Sequence, residues 1–260
     1  MEFSVSQSSL LDCLNHFQSV VERRNTIPIL SNIKIISENN SLHISATDLA
    51  MELTEKLEAK VVEKGGITVP SQLFFDIVRK APNNSEITLK KDKKTDQLYV
   101  FFGKSKFSLS TLPVDDFPEM DEENLDVNLE LDSKEFSNLI DRCKFCMGVD
   151  ESRQYLNGIY FHTSGETIST VATDGHRLSK CTSTQLSGQS FEGIIIPKKT
   201  VFEISKILEE FDKKIKLGFS KTRLKVILGG IKIVSKLINS SFPDYESVIP
   251  KDNDQIMIVD

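Results

Sequence analysis

The densest chemistry in the chain is Thr173-Asp174-Gly175-His176-Arg177-Leu178, which places a carboxylate, an imidazole and a guanidinium within four residues. In a hydrolase, Asp174 would orient His176 for a serine or cysteine nucleophile. The chain has no Gly-x-Ser-x-Gly elbow to carry that nucleophile. The same segment also has a partner: Ala172-Thr173-Asp174 repeats Ala46-Thr47-Asp48, with Ala50 where His176 would fall. An aspartate that recurs without its histidine is expected to be a turn residue bonding its own backbone. The favoured reading is a surface loop whose Gly175, His176 and Arg177 form the polar lip of a binding groove. Leu156 and Leu178 would be its apolar floor.

A second candidate is Cys143-Lys144-Phe145-Cys146. A structural zinc site needs another ligand pair at suitable spacing, and none is present, so these are expected to be buried helix cysteines. With Cys13 and Cys181 they fit free thiols in a reducing compartment. No phosphate-cradling loop occurs; Gly103, Gly229 and Gly230 read as hairpin turns. No metal and no cofactor is expected.

The elements that carry these residues repeat. Leu30, Ile33 and Ile35 recur 126 residues on as Leu156, Ile159 and Phe161, and Phe117-Pro118 recurs as Phe242-Pro243. Pro70 and Phe75 map to Pro197 and Phe202. The slips of one residue are those of loop insertion and deletion. Each unit opens with an alternating strand (Phe3 and Val5; Leu129 and Leu131) and a helix, capped by Ser8 or Ser9 in one unit and Asp132 or Ser133 in the other. Strands follow around 29–36 and 42–46, matched by 155–162 and 167–172. A strand ending in proline (Pro70; Pro197) then feeds a second helix, and three strands close the unit at 86–89, 97–102 and 106–112, matched by 214–218, 224–228 and 231–237. The expected fold is α+β: tandem domains over 1–126 and 127–252, each with two helices on one face of a curved, mainly antiparallel sheet. Residues 253–260 read as the first strand of a third unit.

Bulk composition narrows function. The chain has 260 residues, 39% hydrophobic and 27% charged, enough for packed cores. The start Met1-Glu2-Phe3-Ser4 has no basic and apolar leader, and no run approaches a membrane span, so a cytoplasmic protein is expected. Net charge is −6, which alone argues against nucleic acid. Basic residues nevertheless gather on or beside the four helices: Arg23-Arg24, Arg79-Lys80, Arg142, Lys144, Arg153, Lys198-Lys199 and Lys206. Two readings stand, ordinary solvated helix faces or one basic face shared by the helices for a polyanion.

Several segments together carry a family likeness. These are Leu30 after Thr26-Ile27-Pro28-Ile29, the run Phe107 to Pro113, Tyr155-Leu156-Asn157-Gly158, Val171 to Leu178, and Phe242-Pro243-Asp244-Tyr245. The chain resembles the bacterial DNA polymerase III beta subunit, the sliding clamp, over its whole length. That resemblance implies a non-catalytic processivity factor: three similar domains per subunit, and two subunits head to tail around duplex DNA. Helices line the hole, and a pocket on one face holds the polymerase III catalytic subunit, the clamp loader and other proteins with a clamp-binding motif. It implies DNA contacts at Arg24, Arg153 and Tyr155, and with helices lining the hole the basic residues Arg79, Lys80, Lys198 and Lys199 on them are expected to face DNA as well. The implied partner-peptide pocket is Leu156, Thr173, Gly175, His176, Arg177, Leu178, Pro243 and Val248. Lys104, Lys106 and Phe107 fall on the implied subunit interface. With the third unit cut short, ring closure and the pocket would be incomplete and the chain a monomer. The competing readings are a two-domain scaffold or peptide-binding module unable to close a ring, and a hydrolase using His176.

Overall fold

A computed structural model describes residues 1–260 except 23–25, 93–94, 122–124, 187, 189, 252, 255–256 and 258–260. The expected third-unit strand at 253–260 therefore lies largely outside the described residues. The first unit runs β1 (Glu2–Ser6), α1 (Gln7–Phe17), β2 (Asn32–Glu38), β3 (Ser41–Thr47), β4 (Met51–Glu58), β5 (Lys60–Glu63), β6 (Gly65–Pro70), α2 (Ser71–Lys80), β7 (Glu86–Lys91), β8 (Gln97–Phe102) and β9 (Ser105–Ser110). The second runs β10 (Val127–Asp132), α3 (Ser133–Asp141), β11 (Gly158–Ser164), β12 (Thr167–Thr173), β13 (Leu178–Leu186), β14 (Ile194–Pro197), α4 (Lys198–Leu208), β15 (Lys214–Phe219), β16 (Arg223–Leu228) and β17 (Ile231–Lys236).

The expected α+β class and antiparallel pairing hold, and the strands of each unit divide between two sheets. Order β5-β1-β7-β8-β9 makes one sheet and β13-β12-β11-β14 another. The third has eight strands, β10-β15-β16-β17-β4-β3-β2-β6, and so contains strands of both units. The joint within it is β17 against β4, antiparallel, with Ile231 opposite Glu55, Ile233 opposite Leu53 and Ser235 opposite Met51. Leu53 and Ile233 are both buried there, and one continuous apolar core passes from Phe3 in the first unit to Phe219 in the second.

Local chemistry explains the element ends. Asp132 is the N-cap of α3, its carboxylate accepting from the amides of Lys134 and Glu135. In α1 the cap is Ser6, accepting from the Ser9 amide, not Ser8 or Ser9 as the sequence predicts. The strand runs straight into the helix, so its last extended residue is already in cap geometry. Pro70 and Pro197 end their strands and lead into α2 and α4 as expected. The predicted strands at 29–36 and 155–162 begin later, after short 3-10 turns at Pro28–Ser31 and Gln154–Leu156. Strands β4, β5 and β13 have no counterpart in the sequence expectation. Cys143 and Cys146 are buried, but they follow α3 in a turn and a 3-10 segment instead of lying within the helix. Cys181 is on β13, and only Cys13 sits in an α-helix.

The repeated Phe-Pro pairs anchor the tail of each unit. Phe117 packs on Ile29 and Leu30 beneath the Lys34 ammonium, 5.1 Å from its ring. Phe242 stacks on Tyr160 at 4.8 Å, and Tyr160 is the repeat counterpart of Lys34. Just before each anchor the chain stitches the two sheets of its unit together. Thr68 bridges Leu112 in the first unit, and the Ile238 amide donates to the Ile195 carbonyl in the second.

Candidate polymerase and nucleic-acid interface

The two Asp turns have one design. Asp48 Oδ1 accepts from the amides of Ala50 and Met51, and Thr47 Oγ1 accepts from Leu49 while donating to the Met51 carbonyl. Asp174 Oδ1 accepts from His176 and Arg177, and Thr173 Oγ1 accepts from Gly175 while donating to the Arg177 carbonyl. The aspartate is thus a turn residue, as the duplication implied. The first turn leads into β4, which forms the joint, and the second into its repeat counterpart β13, an edge strand. The third position takes positive φ, 90° at Gly175 and 72° at Leu49, where the side chain is strained.

Surroundings separate the turns. Asp48 also receives the Lys199 ammonium at 2.5 Å, across the joint from the start of α4. Asp174 instead binds Arg177 Nε at 2.9 Å and stays near solvent. The amides of His176 and Arg177, then the Arg177 guanidinium, hold the Asp174 carboxyl down to about 2. Among the described residues no carboxylate pairs with the His176 ring, and the Asp174 oxygens accept from amides and from Arg177. The His176 side chain stands at the surface. The hydrolase arrangement is not assembled.

The residues predicted for the peptide pocket fall on three neighbouring segments. Thr173, Gly175, His176, Arg177 and Leu178 form the turn and the start of β13. Leu156 ends a 3-10 turn and is buried at 4% exposure, so it supports the site from below. Pro243 precedes a tail turn at Glu246–Val248 and Val248 ends it, and both are exposed. Ion pairs and close approaches join the segments. The Arg153 guanidinium lies so near Gly175 that a Cβ there would meet Nη1 at 3.0 Å. The Arg177 guanidinium sits 5.7 Å over the Phe145 ring. Lys180 on β13 donates to Glu246 at 2.8 Å, and the Tyr245 hydroxyl meets His162 Nε2 at 3.1 Å. Sequence reasoning missed Phe145, Lys180, Tyr245 and Glu246, because their contacts span as many as 83 residues. The exposed Phe145 and Val149 give the neighbourhood an apolar surface.

The residues predicted for DNA are less uniform. Arg24 lies outside the described residues. Arg79 and Lys80 end α2, where cations suit the helix dipole, and Arg79 pairs with Asp76 at 2.8 Å. Arg153 pairs with Asp150, whose carboxyl is held down to about 2 by Ser152 and Arg153. Tyr155 is half-buried along a groove of about 600 Å³ between the 151–155 loop and residues 237–240. Lys198 and Lys199 open α4, where the dipole disfavours cations. Lys199 is engaged with Asp48, the Val20 carbonyl and Glu22. Lys198 has no ion pair among the described residues. At the predicted subunit interface, β9 is one of the two edges of its sheet. Phe107 stacks on Phe102 yet stays 37% exposed, Lys106 lies 4.2 Å over Tyr99, and Lys104 sits at the hairpin turn.

Two family models match, the N-terminal domain of the DNA polymerase III beta subunit over residues 1–121 and its central domain over 130–244. The chain belongs to the DNA polymerase III beta subunit family, the sliding clamps. A beta sliding clamp of Caulobacter vibrioides is 39% identical over 265 residues, which is all of this chain and 71% of that protein. The Escherichia coli clamp is 36% identical, covering 98% of this chain and 69% of its own. A crystal structure of a Bartonella birtlesii sliding clamp bound to griselimycin superposes with a TM-score of 0.93 at 40% identity, covering 98% of this chain and 69% of that one. Sliding clamps are non-catalytic processivity factors. Among the described residues no group of His, Cys, Asp and Glu is placed to hold a metal, and no helix is long and apolar enough to cross a membrane.

Proposed function

We propose that this chain is the DNA-encircling part of a cytoplasmic sliding clamp, with clamp domains over 1–126 and 127–252. The observation that carries this reading is the sheet that runs through both units. A unit that extends its sheet into the next one, at a fixed register, builds an arc by repetition. Among the edge strands, β9 and β13 are the repeat counterparts of the two that pair at the joint, and they are the joints to neighbouring domains of a closed ring. Arg79, Lys80, Arg153, Tyr155 and Lys198 face duplex DNA on the inner side, with Lys199 shared between DNA and the joint, and the family resemblance assigns DNA contact to Arg24 as well. Their contacts to phosphate are few and not specific to sequence, so the ring slides. The polymerase and other partners insert a short peptide over Leu156 and Leu178, between the Thr173–Arg177 turn and Pro243 and Val248. Acidic charge on the outer surface discourages unproductive contact with DNA.

The test is duplex binding by fluorescence anisotropy across a salt series. Lys198→Ala and Arg153→Ala are each expected to weaken binding and to flatten the dependence of log K on log salt by roughly one phosphate contact. Binding that ignores both substitutions and salt would refute the DNA-facing assignment. A partner peptide that binds equally well after Leu178→Asp would refute the pocket.

A further inference from the structure

Beyond the tether itself, the joint between the two units contains an arrangement that the proposed function does not use. His16 lies in the last turn of α1 at 4% exposure, and both of its ring nitrogens meet carboxylates. Nδ1 is 2.7 Å from Glu55 on β4, in its own unit. Nε2 is 2.9 Å from Glu210, just past α4 in the other unit. We infer that His16 is a protonation-dependent clasp, in which the imidazolium ties α1 to the end of α4 and the neutral ring releases that tie.

The argument follows from donor counting. An imidazolium donates from both nitrogens, whereas a neutral ring has one N–H and one lone pair. Only the charged form can satisfy both carboxylates. On deprotonation the remaining hydrogen stays with the more enclosed acceptor, because an unpaired buried carboxylate is the costlier outcome. Glu55 is 14% exposed and Glu210 49%, so Glu55 keeps the hydrogen bond. Glu210 then faces a lone pair and turns to solvent. The bond lost is the one that crosses the joint.

The surroundings set the size of the motion. On α1, Cys13 and Asp12 flank the site, and burial followed by the Glu55 charge pushes the Cys13 thiol well up, so it stays neutral. From α4, Lys206 donates to the Asn15 carbonyl and Glu203 accepts from Ser19, both across the joint. On α2, packed against α1, Asp76 and Arg79 pair with each other. Beside them Lys199 stays on Asp48, and the β4·β17 ladder stays paired. Release of Glu210 therefore loosens one side of a joint whose other ties persist, which changes its bend without separating the units. Burial alone would lower the His16 pKa, but the hydrogen bonds to Glu55 and Glu210 outweigh it and the net shift is upward from 6.5. The clasp's contribution is thus complete below the ordinary histidine value and lost as pH rises through the raised one.

An imidazole NMR titration of the full chain, wild type and Glu210→Gln, tests this. The amide keeps a polar group at a half-exposed site but removes the charge. The His16 pKa is expected to fall by about one pH unit, the scale of one charge-assisted hydrogen bond. In the wild type, backbone amides of residues 51–55 and 231–235 should titrate with the same midpoint as His16, and in the variant with the lowered one. Glu210→Asp, which keeps the charge but shortens its reach, should give an intermediate value and covers a failure of the first variant to fold. A His16 pKa unmoved in either variant, or joint amides that do not follow it, would overturn the clasp.

Discussion

The strand that closes the joint and the strand left open at the other end occupy the same place in the repeat. β17 lies against β4, with Ile231, Ile233, Val234 and Ser235 buried. β9, its counterpart, is exposed at every position but Leu109. The units share their architecture there; they differ in whether a neighbour is paired and in what the strand carries, Ser105 and Ser108 standing where Ile231 and Val234 do. Burial at these positions draws on both the neighbour and the unit, since Ile231 and Ile233 also line the second unit's own core with Ile204, Ile207 and Leu208 of α4. The Asp turns repeat the lesson, since the Asp48 turn is fixed by Lys199 across the joint and the Asp174 turn stands open for a partner.

The largest expected effect sets Ile233→Ala against Phe107→Ala, substitutions at equivalent positions. Ile233 is 2% exposed, so its truncation should cost about 2–4 kcal/mol in urea unfolding, whereas Phe107→Ala should cost no more than about 1 kcal/mol. Equal losses would break the comparison. Next, Asp48→Ala removes the turn acceptor and leaves Lys199 without its nearest carboxylate, an expected loss of about 2 kcal/mol by the same measurement. Asp174→Ala, at the exposed turn, should be milder. Gly175→Ala should cost about 1–2 kcal/mol, because φ is +90° and the new methyl meets Arg153, and it should also weaken peptide binding. The smallest effect is Leu49→Gly, where relief at φ +72° and added freedom of the unfolded chain nearly cancel, for a net gain within about 1 kcal/mol by thermal unfolding. In acid, the amide shifts of His176 and Arg177 should hold steady until the Asp174 carboxyl titrates near pH 2. The turn's contribution is present above the ordinary aspartate value and lost as pH falls through the depressed one.

Much of this was legible in the sequence. The helices, the proline exits, the hairpin glycines and the Asp turns all follow from local patterns that recur. Of the strands the sequence did not yield, β4, β5 and β13, two are those at the joint and at its open counterpart, β4 and β13. Met51 and Leu53 alternate, but Glu55, Lys56 and Glu58 then break the apolar period, and β13 reads Leu-Ser-Lys-Cys-Thr. A strand that ends a unit's own sheet is half solvated until a neighbour arrives, so its pattern is weak. The pocket turn was visible because it is duplicated. Its ties through Lys180, Glu246 and Tyr245, and the His16 contacts, were not, because sequence spacing holds no trace of contacts as much as 194 residues apart.

The Asp turn also bears on how a ring can close at all. In a closed loop of repeated parts, small misalignments accumulate, and the final seam must absorb their sum. The Asp48 turn fixes Met51, the first residue of β4, and the Asp174 turn fixes Arg177, just ahead of β13, by hydrogen bonds inside the unit. A strand that started one residue late would present the wrong face to its partner. The turn therefore works as a gauge, setting every part to one length so that the last seam meets without being forced.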